Sequence, residues 1–260
     1  MTRRLGKELL LQLWLPVLIF VIVLIATAGS KSLYFPPLAH VLDIMWTGLA
    51  GGKLLPALGF SMRNLLTGLA IAAVSGVLLG LVLGEHERLR VAATPVLDFF
   101  RAMPHVAFVP VIIIALGIAS APKVFLIVFG SIWPILLNTV DGVAGIPPSV
   151  REAARSYRIP YWLRLRKVVL PGALPQIFAG LRIAVAVGIV LMVVGEMYGS
   201  AQGIGYYILT SGSDFAVAET WAGTLLLGIV GYALSMAVLG AEHLCLGWYF
   251  QRAPRARGRR

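Results

Sequence analysis

Long apolar segments recur along the chain, and short stretches between them contain most of its polar residues. Each apolar segment is long enough to cross the roughly 30 Å hydrocarbon layer of a bilayer as an α-helix. Gly and Pro interrupt several segments, which membrane helices tolerate when neighbouring helices satisfy the freed backbone groups. The pattern predicts an all-α membrane protein with six spans, at Leu9–Ala28, Leu65–Gly84, Pro95–Gly117, Val124–Val143, Leu174–Tyr198 and Thr220–Leu246.

Composition supports this class of protein. Of the 260 residues, 59% are hydrophobic and only 13% are charged, which is too little charge to cover a soluble domain of this size. No soluble segment is long enough to form a separate domain, so residues 1–260 are expected to form one transmembrane domain. The one cysteine, Cys245, excludes an intramolecular disulfide and a multi-cysteine metal site.

The distribution of positive charge predicts the orientation. Of the 22 Lys and Arg residues, only Lys31, Lys53, Arg63 and Lys123 fall on one side of the six predicted spans. The positive-inside rule therefore places both termini and the central loop in the cytoplasm. We interpret the basic tail, residues 251–260, as an anchor on anionic lipid and not as a nucleic-acid-binding arm. The first apolar segment is too long for a typical signal peptide and is interpreted as a retained span.

Small residues recur at four-residue spacing on two predicted spans. Such faces let membrane helices approach closely, and we expect them to pack within one chain. They are Gly76, Gly80 and Gly84 on the second span, and Gly180, Ala184 and Gly188 on the fifth.

Two longer segments lie on the extracytoplasmic side. Within residues 29–64, the fragments Leu38–Ala50 and Leu54–Phe60 are predicted to form short helices at the membrane surface, with Trp46 as an aromatic anchor. Residues 199–219 contain Tyr206 and Tyr207 among Gly and Ser. Each segment is either a site for an external partner or a plain connection, and the sequence leaves both open.

The loop at 147–171 interrupts the apolar pattern with a basic, amphipathic stretch, Glu152 to Pro171. Ser149 and Glu152 have the spacing of a capping box, which predicts a first short helix at about 150–157. Pro160 suits the first position of a second helix. In that helix, Tyr161, Trp162, Leu165, Val168 and Val169 are expected on an apolar side, and Arg164, Arg166 and Lys167 in polar surroundings.

Such a loop either docks on a cytoplasmic partner or lies on lipid. The small side chains of Ala153 and Ala154 favour docking, because a partner's groove can close tightly over them.

The Glu-Ala-Ala sequence at 152–154, followed by a turn and then Val-Val-Leu-Pro, resembles the EAA loop of ABC-importer inner-membrane permeases. From about residue 60 to 248 the chain resembles a methionine-importer-like (type I) permease, nearest to the sulfonate, taurine and nitrate branch. The other stretches that carry the resemblance are Arg101–Pro110, Asn138–Val143, Gly180–Arg182, Gly195–Glu196 and Gly203–Gly205.

The resemblance implies a function for the loop: coupling helices there contact a separate ATPase. The residues implied in coupling are Glu152, Ala153, Ala154, Tyr157, Arg158, Pro160, Trp162, Leu170 and Pro171. Arg158 departs from the family, which usually has glycine at this turn. A left-handed backbone there costs an arginine about 1 kcal/mol or more, so the turn takes another conformation or Arg158 makes a compensating contact.

No GxxxxGK[ST] phosphate-binding loop occurs in the sequence, so ATP and Mg²⁺ are expected on a partner subunit and no cofactor on this chain. The resemblance implies a prokaryotic inner-membrane complex of two permease copies, two ATPase subunits and an extracytoplasmic solute-binding protein. Nucleotide binding would draw the coupling loops together and turn the cavity outward, and hydrolysis would reset it.

Polar or large side chains within the spans are candidates for lining a solute path. We expect Trp133, Asn138, Met192 and Glu196 there, while Glu196 is equally well explained by a structural hydrogen bond to a neighbouring helix. Arg182 is expected to extend toward the cytoplasmic interface. Asp98 and Arg101 are expected to pair, and His105 to pack.

The predicted function is therefore the permease subunit of an ATP-driven importer for a small anion such as a sulfonate, taurine or nitrate. Two alternatives remain at this point. One is a channel-like or receptor-type membrane protein whose basic loop binds lipid or a signalling partner, and the other is a related permease for another solute, such as a vitamin precursor. No catalytic constellation is present in the sequence, so the chain is not expected to be an enzyme.

Overall fold

The structure, a computed structural model, describes residues 2–247, with side chains from Trp14 onward except that of Pro16. Every regular element in that range is helical. The α-helices are α1 (Thr2–Thr27), α2 (Leu38–Ala50), α3 (Leu54–Glu85), α4 (Glu87–Ala102), α5 (Val109–Leu116), α6 (Ser120–Ala144), α7 (Pro148–Ser156), α8 (Tyr161–Arg164), α9 (Leu170–Gly199), α10 (Ile204–Ser213) and α11 (Val217–Cys245). A 3₁₀ turn, His105–Phe108, precedes α5, and a π-helical segment, Leu165–Val169, joins α8 to α9.

Four helices of the described chain are long and apolar enough to cross a membrane: Leu54–Glu85, Ser120–Ala144, Tyr161–Gly199 and Val217–Cys245. They contain the second, fourth and fifth predicted spans, and the sixth except for its last residue, Leu246. The first predicted span lies within α1 except for Ala28. It stays a prediction, because the structure does not describe the side chains of the first part of α1.

The third predicted span, Pro95–Gly117, is wrong as a continuous helix. Two helices, Glu87–Ala102 and His105–Leu116, meet there at a bend of 78°. Pro104 has no backbone N–H to donate, and its ring disfavours helical backbone at the preceding residue. Met103 accordingly has extended dihedral angles, with φ −72° and ψ 134°.

The two segments that were predicted to be extracytoplasmic contain more helix than the sequence predicted. Helix α2 has the predicted bounds, Leu38–Ala50, and Trp46 on it is 72% exposed. The fragment Leu54–Phe60 is not a separate surface helix, because it forms the first turns of α3. Its first residue, Leu54, is fully buried in a cluster with Ile204 and Leu226. Residues 199–219 contain the helix α10.

Helices α3 and α6 pack in parallel through the predicted small-residue face. A Cβ atom on Gly76, Gly80 or Gly84 would lie within about 3 Å of Ile135, Thr139 or Val143, respectively. Because the partner residues advance together with the glycines, the two helices run in the same direction. The broken pair α4–α5 between them must therefore return across the membrane once.

Helix α9 packs antiparallel to α6 through its own small residues. A Cβ on Gly180 would lie 2.7 Å from the Pro134 carbonyl oxygen, and one on Gly195 would lie 3.1 Å from Leu126 Cδ1. The prediction that both small-residue faces pack within the chain is confirmed. Helix α6 thus lies between α3 and α9, at a backbone separation that larger side chains would prevent.

This arrangement defines two ends of the bundle. At the first, which we call the loop end, α3 and α6 end, α9 begins and the 147–171 loop lies. At the opposite end α3 and α6 begin, α9 ends and α10 is attached. Helix α11 begins at the opposite end and ends at the loop end, where Glu242 pairs with Arg182 of α9.

Replacing Gly80 by alanine should destabilise the bundle, because the new Cβ would lie 2.5 Å from Thr139 Cβ and 2.9 Å from the Leu136 carbonyl oxygen. Overpacking of this kind typically costs about 1–3 kcal/mol. The measurement is the thermal unfolding midpoint of the detergent-solubilised protein. Gly59→Ala on the same helix is the control, since nothing lies within 4 Å of its Cβ position. Equal midpoints for the two variants would contradict this packing.

Candidate functional site

The first arm of the 147–171 loop is α7, which begins at Pro148 with Pro147 as its N-cap. The predicted capping box is wrong, since Ser149 lies within the first turn and no side chain caps the helix. Pro147 has extended dihedrals that direct its carbonyl oxygen to the backbone N–H of Val150, at 3.0 Å. A proline at the first helical position needs no partner for an N–H, so Pro148 starts the helix two residues before the predicted start.

The turn between the two arms places Arg158 in the left-handed region, with φ +49°. Its N–H donates to the Arg155 carbonyl at 2.9 Å, and the Ile159 N–H donates to the Ala154 carbonyl at 3.1 Å. These two bonds are those of a Schellman motif, in which glycine is the usual residue at the left-handed position. Arg158 therefore keeps the turn that glycine would make, at a conformational cost of about 1 kcal/mol or more.

The second arm is continuous with a membrane span. Pro160 is the N-cap of α8 and not its first residue, so the helix begins one residue later than predicted. Helical backbone then continues through the π-helical segment into α9. Val169 is 2% exposed in a cluster that includes Val143 and Ala173. The second arm is therefore the first part of a helix that reaches Gly199, rather than a separate short helix.

Both arms are attached to the end of α3 by Glu85, whose side chain is only 6% exposed. Arg164 of α8 donates to Glu85 Oε2 at 3.0 Å, and Arg151 of α7 contacts Oε1 at 3.5 Å. Arg151 also donates to the Val143 carbonyl. Arg164 therefore has a polar partner, as expected, but it is partly buried against Glu85, with its guanidinium 5.3 Å from the centre of the Tyr161 ring.

Glu85 was missed in the sequence, although a signal was present. It is an acidic residue at the end of an apolar span, and the basic side chains of the loop are its obvious partners. Sequence spacing does not specify which of the loop arginines reach it.

The surface of the loop presents aromatic and charged side chains. Tyr157 is 83% exposed and Trp162 is 75% exposed, and Glu152, Ala153, Arg158 and Pro160 are exposed as well. Ala154 is 4% exposed within the subunit, so it is not open to a partner's groove as predicted. Leu170 and Pro171 are partly buried, and Leu170 packs on the cluster that contains Val169 and Ala173.

Two of the four candidates for the solute path do not line a cavity in this structure. Met192 is fully buried in a cluster with Leu65 and Ile127, and Glu196 is also fully buried. Their assignment to the path is corrected, because both face neighbouring helices of the same chain.

The other two candidates are partly buried. Trp133 stacks on Phe100 at 4.6 Å between ring centres, and Asn138 donates to the Pro134 carbonyl at 2.8 Å. His105 packs edge-on against Phe129, as expected. Asp98 and Arg101 form the predicted ion pair, at 3.1 Å.

Glu196 forms a hydrogen-bond network at the opposite end of the bundle. Ser61 of α3 donates to Glu196 Oε2 at 2.8 Å, and the Gly205 N–H donates to the same oxygen at 3.0 Å. Ser61 Oγ in turn accepts the Ile204 N–H at 2.9 Å. Ile204 and Gly205 are the first residues of α10, so a carboxylate and a hydroxyl from two spans cap that helix. The structural hydrogen bond is thus the role of Glu196 in this structure.

This network explains the Gly203–Gly205 motif. Gly203, the N-cap of α10, has φ +105°, and a Cβ there would lie 2.4 Å from Glu196 Cδ. A Cβ on Gly205 would lie 2.4 Å from the Val193 carbonyl oxygen. Only glycine leaves room for the carboxylate beneath the first turn of the helix.

A bundle of long helices with mostly apolar exposed faces, and with a polar loop attached at one end, is the architecture of an integral membrane protein. Residues 76–243 match the family described as binding-protein-dependent transport system inner membrane component. The chain belongs to this family. It is a multi-pass inner-membrane protein and the permease subunit of an ABC importer. Permeases of this family work with a separate ATPase and a solute-binding protein.

Several relatives cover most of the chain. The putative aliphatic sulfonates transport permease of Bacillus subtilis (strain 168) is 29% identical over 200 residues, which are 77% of this chain and 72% of the relative. The taurine transport permease of Escherichia coli (strain K12) is 27% identical over 84% of this chain and 82% of its own length. A nitrate import permease of Synechocystis sp. is 29% identical over 71% of this chain and 67% of its own length.

The fold is also that of a solved transporter. A chain of the inward-facing MetNI methionine ABC transporter superposes with a TM-score of 0.64 at 19% identity, covering 78% of this chain and 98% of that one. The predicted methionine-importer-like, type I fold is confirmed.

Replacing Glu85 by alanine should loosen the loop, because two partly buried arginines lose their shared carboxylate. Removing one partner of a buried ion pair commonly costs about 3–5 kcal/mol. Hydrogen–deuterium exchange should become faster in residues 148–164 while the spans stay protected. Glu87→Ala, an exposed acid two residues further on, is the control. Unchanged exchange in Glu85→Ala would show that Glu85 does not hold the loop.

Replacing Gly203 by alanine should detach the start of α10 from Glu196, because the new methyl group has no room and φ +105° is strained for alanine. Faster amide exchange at residues 204–208 and a lower unfolding midpoint are expected. Gly212→Ala on the same helix is the control, because the nearest atom to its Cβ position is 3.8 Å away. If the two variants behave alike, the cap does not depend on Gly203.

Proposed function

We propose that this permease imports a small anion of the sulfonate, taurine or nitrate type, and that the exposed surface of its 147–171 loop receives force from a separate ATPase. The observation that carries the proposal is that Tyr157 and Trp162, 83% and 75% exposed, lie on a loop attached to two spans. The names of the sulfonate, taurine and nitrate relatives support the solute class. A channel or a receptor needs no such contact with an ATPase.

The coupling residues divide into a contact surface and its support. Glu152, Ala153, Tyr157, Arg158, Pro160 and Trp162 are exposed and form the proposed contact surface. Ala154, Leu170 and Pro171 support it from inside, because they pack toward the subunit. The exposed aromatic side chains are the type of residue that dominates binding energy in protein interfaces.

The assembly we propose has two copies of this chain, two ATPase subunits that bind ATP and Mg²⁺, and an extracytoplasmic solute-binding protein. The excess of Arg and Lys at the loop end and in the tails supports a cytoplasmic position for both termini and the loop. The basic tail then contacts anionic lipid and no nucleic acid. ATP binding draws the two loops together and opens the path outward, and hydrolysis returns it to the inward-facing state.

We propose that the solute path passes the partly buried side chains of Trp133 and Asn138 on α6. It also passes the break between α4 and α5. A groove of about 370 Å³ lies at that break, between Met103–Val106 and residues Ala186 to Leu191 of α9. A second permease copy facing this groove would enclose it.

Trp162→Ala and Glu152→Ala should each reduce the amount of ATPase that purifies with the permease and uncouple ATP hydrolysis from transport, with membrane insertion intact. Truncating an aromatic side chain that is a hot spot of an interface costs about 2 kcal/mol or more, which is about thirtyfold in affinity. The measurements are ATPase recovery and uptake of labelled taurine, an alkanesulfonate and nitrate into proteoliposomes.

The matched control is Trp46→Ala, which removes an equally exposed tryptophan (72%) from α2, away from the loop. Wild-type uptake by Glu152→Ala and Trp162→Ala would contradict the coupling assignment. Transport of none of the three solutes by the wild-type complex would contradict the solute class.

A further inference from the structure

A cavity of about 920 Å³ opens at the opposite end of the bundle. The turn between α2 and α3, at Gly51–Lys53, forms one wall, and α10 with the turn that follows it forms the other. The polar side chains that line it include those of Lys53, Gln202, Tyr206, Tyr207, Asp214 and Glu219.

The cavity has an acidic character. Its lining includes one basic side chain, Lys53, and two acidic ones, Asp214 and Glu219. Burial and the nearby Glu219 carboxylate raise the pKa of the Tyr207 phenol above its ordinary value, so Tyr207 stays neutral and the charge of the lining comes from Lys53, Asp214 and Glu219. The cavity therefore repels a small anion and attracts a cationic group.

An exposed aromatic side chain lies beside this cavity. Phe215, between Asp214 and the lining residue Ala216, is 70% exposed and has φ +56°. The Ala216 N–H donates to the Ser211 carbonyl at 2.9 Å, which closes α10 with a left-handed residue at Phe215. This backbone conformation is a genuine outlier for a bulky residue, and such strain concentrates at functional sites.

Helix α10 is also attached to the membrane spans. Its first two backbone N–H groups donate hydrogen bonds to the side chains of Ser61 on α3 and Glu196 on α9. A protein bound to α10 would therefore contact an element that is hydrogen-bonded to both of those spans. A docking surface that signals across the membrane needs this kind of connection.

We propose that this acidic cavity and Phe215 form the docking site for the extracytoplasmic solute-binding protein, with a Lys or Arg side chain of that protein between Asp214 and Glu219. The inference rests on the proposed function, which supplies an anionic solute and an external binding protein. Since the solute is an anion, an acidic cavity suits the carrier protein better than the solute itself. Phe215 packs on the docked surface as an aromatic anchor.

The test uses the permease–ATPase complex in lipid nanodiscs and the solute-binding protein that co-purifies with the wild-type complex. Asp214→Asn and Glu219→Gln should each weaken binding of that protein by about tenfold, because a charge pair in the interface is lost. Their affinity should also depend less on salt than that of the wild type. Asp43→Asn, an exposed acid on α2 outside the cavity, is the matched control and should bind as wild type.

Phe215→Gly separates docking from folding. Glycine relieves the left-handed strain, so the unfolding midpoint should stay the same or rise, whereas binding of the solute-binding protein should weaken about tenfold or more. A purely structural role for Phe215 predicts unchanged binding, which would overturn the proposal for this residue.

If the cavity has another function, the same variants give different results, and each of those results would overturn the proposal. Asp214→Asn and Glu219→Gln would change the KM for the solute without changing binding-protein affinity if the cavity were a solute vestibule. They would change the oligomeric state without the binding protein if it were a contact between permease copies.

Failure of the proposed function has a separate signature: no ATPase purifies with the wild-type chain. If the ATPase and the binding protein both bind the wild type, and the three variants bind like it, only the docking inference is lost.

Discussion

Close approach of helix backbones is the constraint on which this structure depends. Inside a bilayer the hydrophobic effect gives little preference for one helix neighbour over a lipid tail, so packing distance decides which helices associate. Here α6 contacts α3 on one side and α9 on the other, through glycines that leave no space for a Cβ. These contacts fix the parallel and antiparallel directions, and those directions place the 147–171 loop and α10 at opposite ends.

Each end of the bundle then uses one buried glutamate to attach a short helix to the spans. Glu85 holds both arms of the loop through Arg151 and Arg164, whereas Glu196 holds α10 through Ser61 and a backbone N–H. A buried carboxylate is costly unless its oxygens are satisfied, and it then tolerates few other positions of its partners. The two glutamates therefore restrict elements that hydrophobic contacts alone would leave free to slide.

The sequence predicted what periodicity and motif spacing encode. The bounds of α2, the small-residue faces and the position of the loop are local patterns, and the structure has them. The errors fall where one residue overrides a pattern. Pro104 breaks an apolar segment that looks continuous, and Pro147–Pro148 start α7 before the apparent capping box.

A second source of error was the rotation of each helix about its axis, which decides whether a side chain faces a neighbouring helix or the surface. Ala154 and Met192 were assigned to surfaces, yet both are buried against neighbours, because which way a side chain points depends on packing partners distant in sequence. The contacts of Glu85 with the loop arginines join residues 66 and 79 positions apart, and Glu196 and Ser61 are 135 positions apart. Spacing along one helix contains no information about such contacts.

One helix joins the two functional ends. From Tyr161 to Gly199 helical backbone continues for 39 residues, about 58 Å at 1.5 Å per residue, which is longer than the hydrocarbon layer is thick. Trp162 lies near its first turn and Glu196 in its last. A displacement of the exposed loop therefore moves the carboxylate that caps α10, unless the helix bends at the π-helical segment Leu165–Val169 or at Pro175, which lies inside it. At the π-helical segment, an irregularity of the hydrogen-bond pattern, Val169 is buried and Arg164, immediately before the segment, is paired with Glu85. The same ion pair that positions the loop thus also stiffens the start of the helix that connects it to the other side of the membrane.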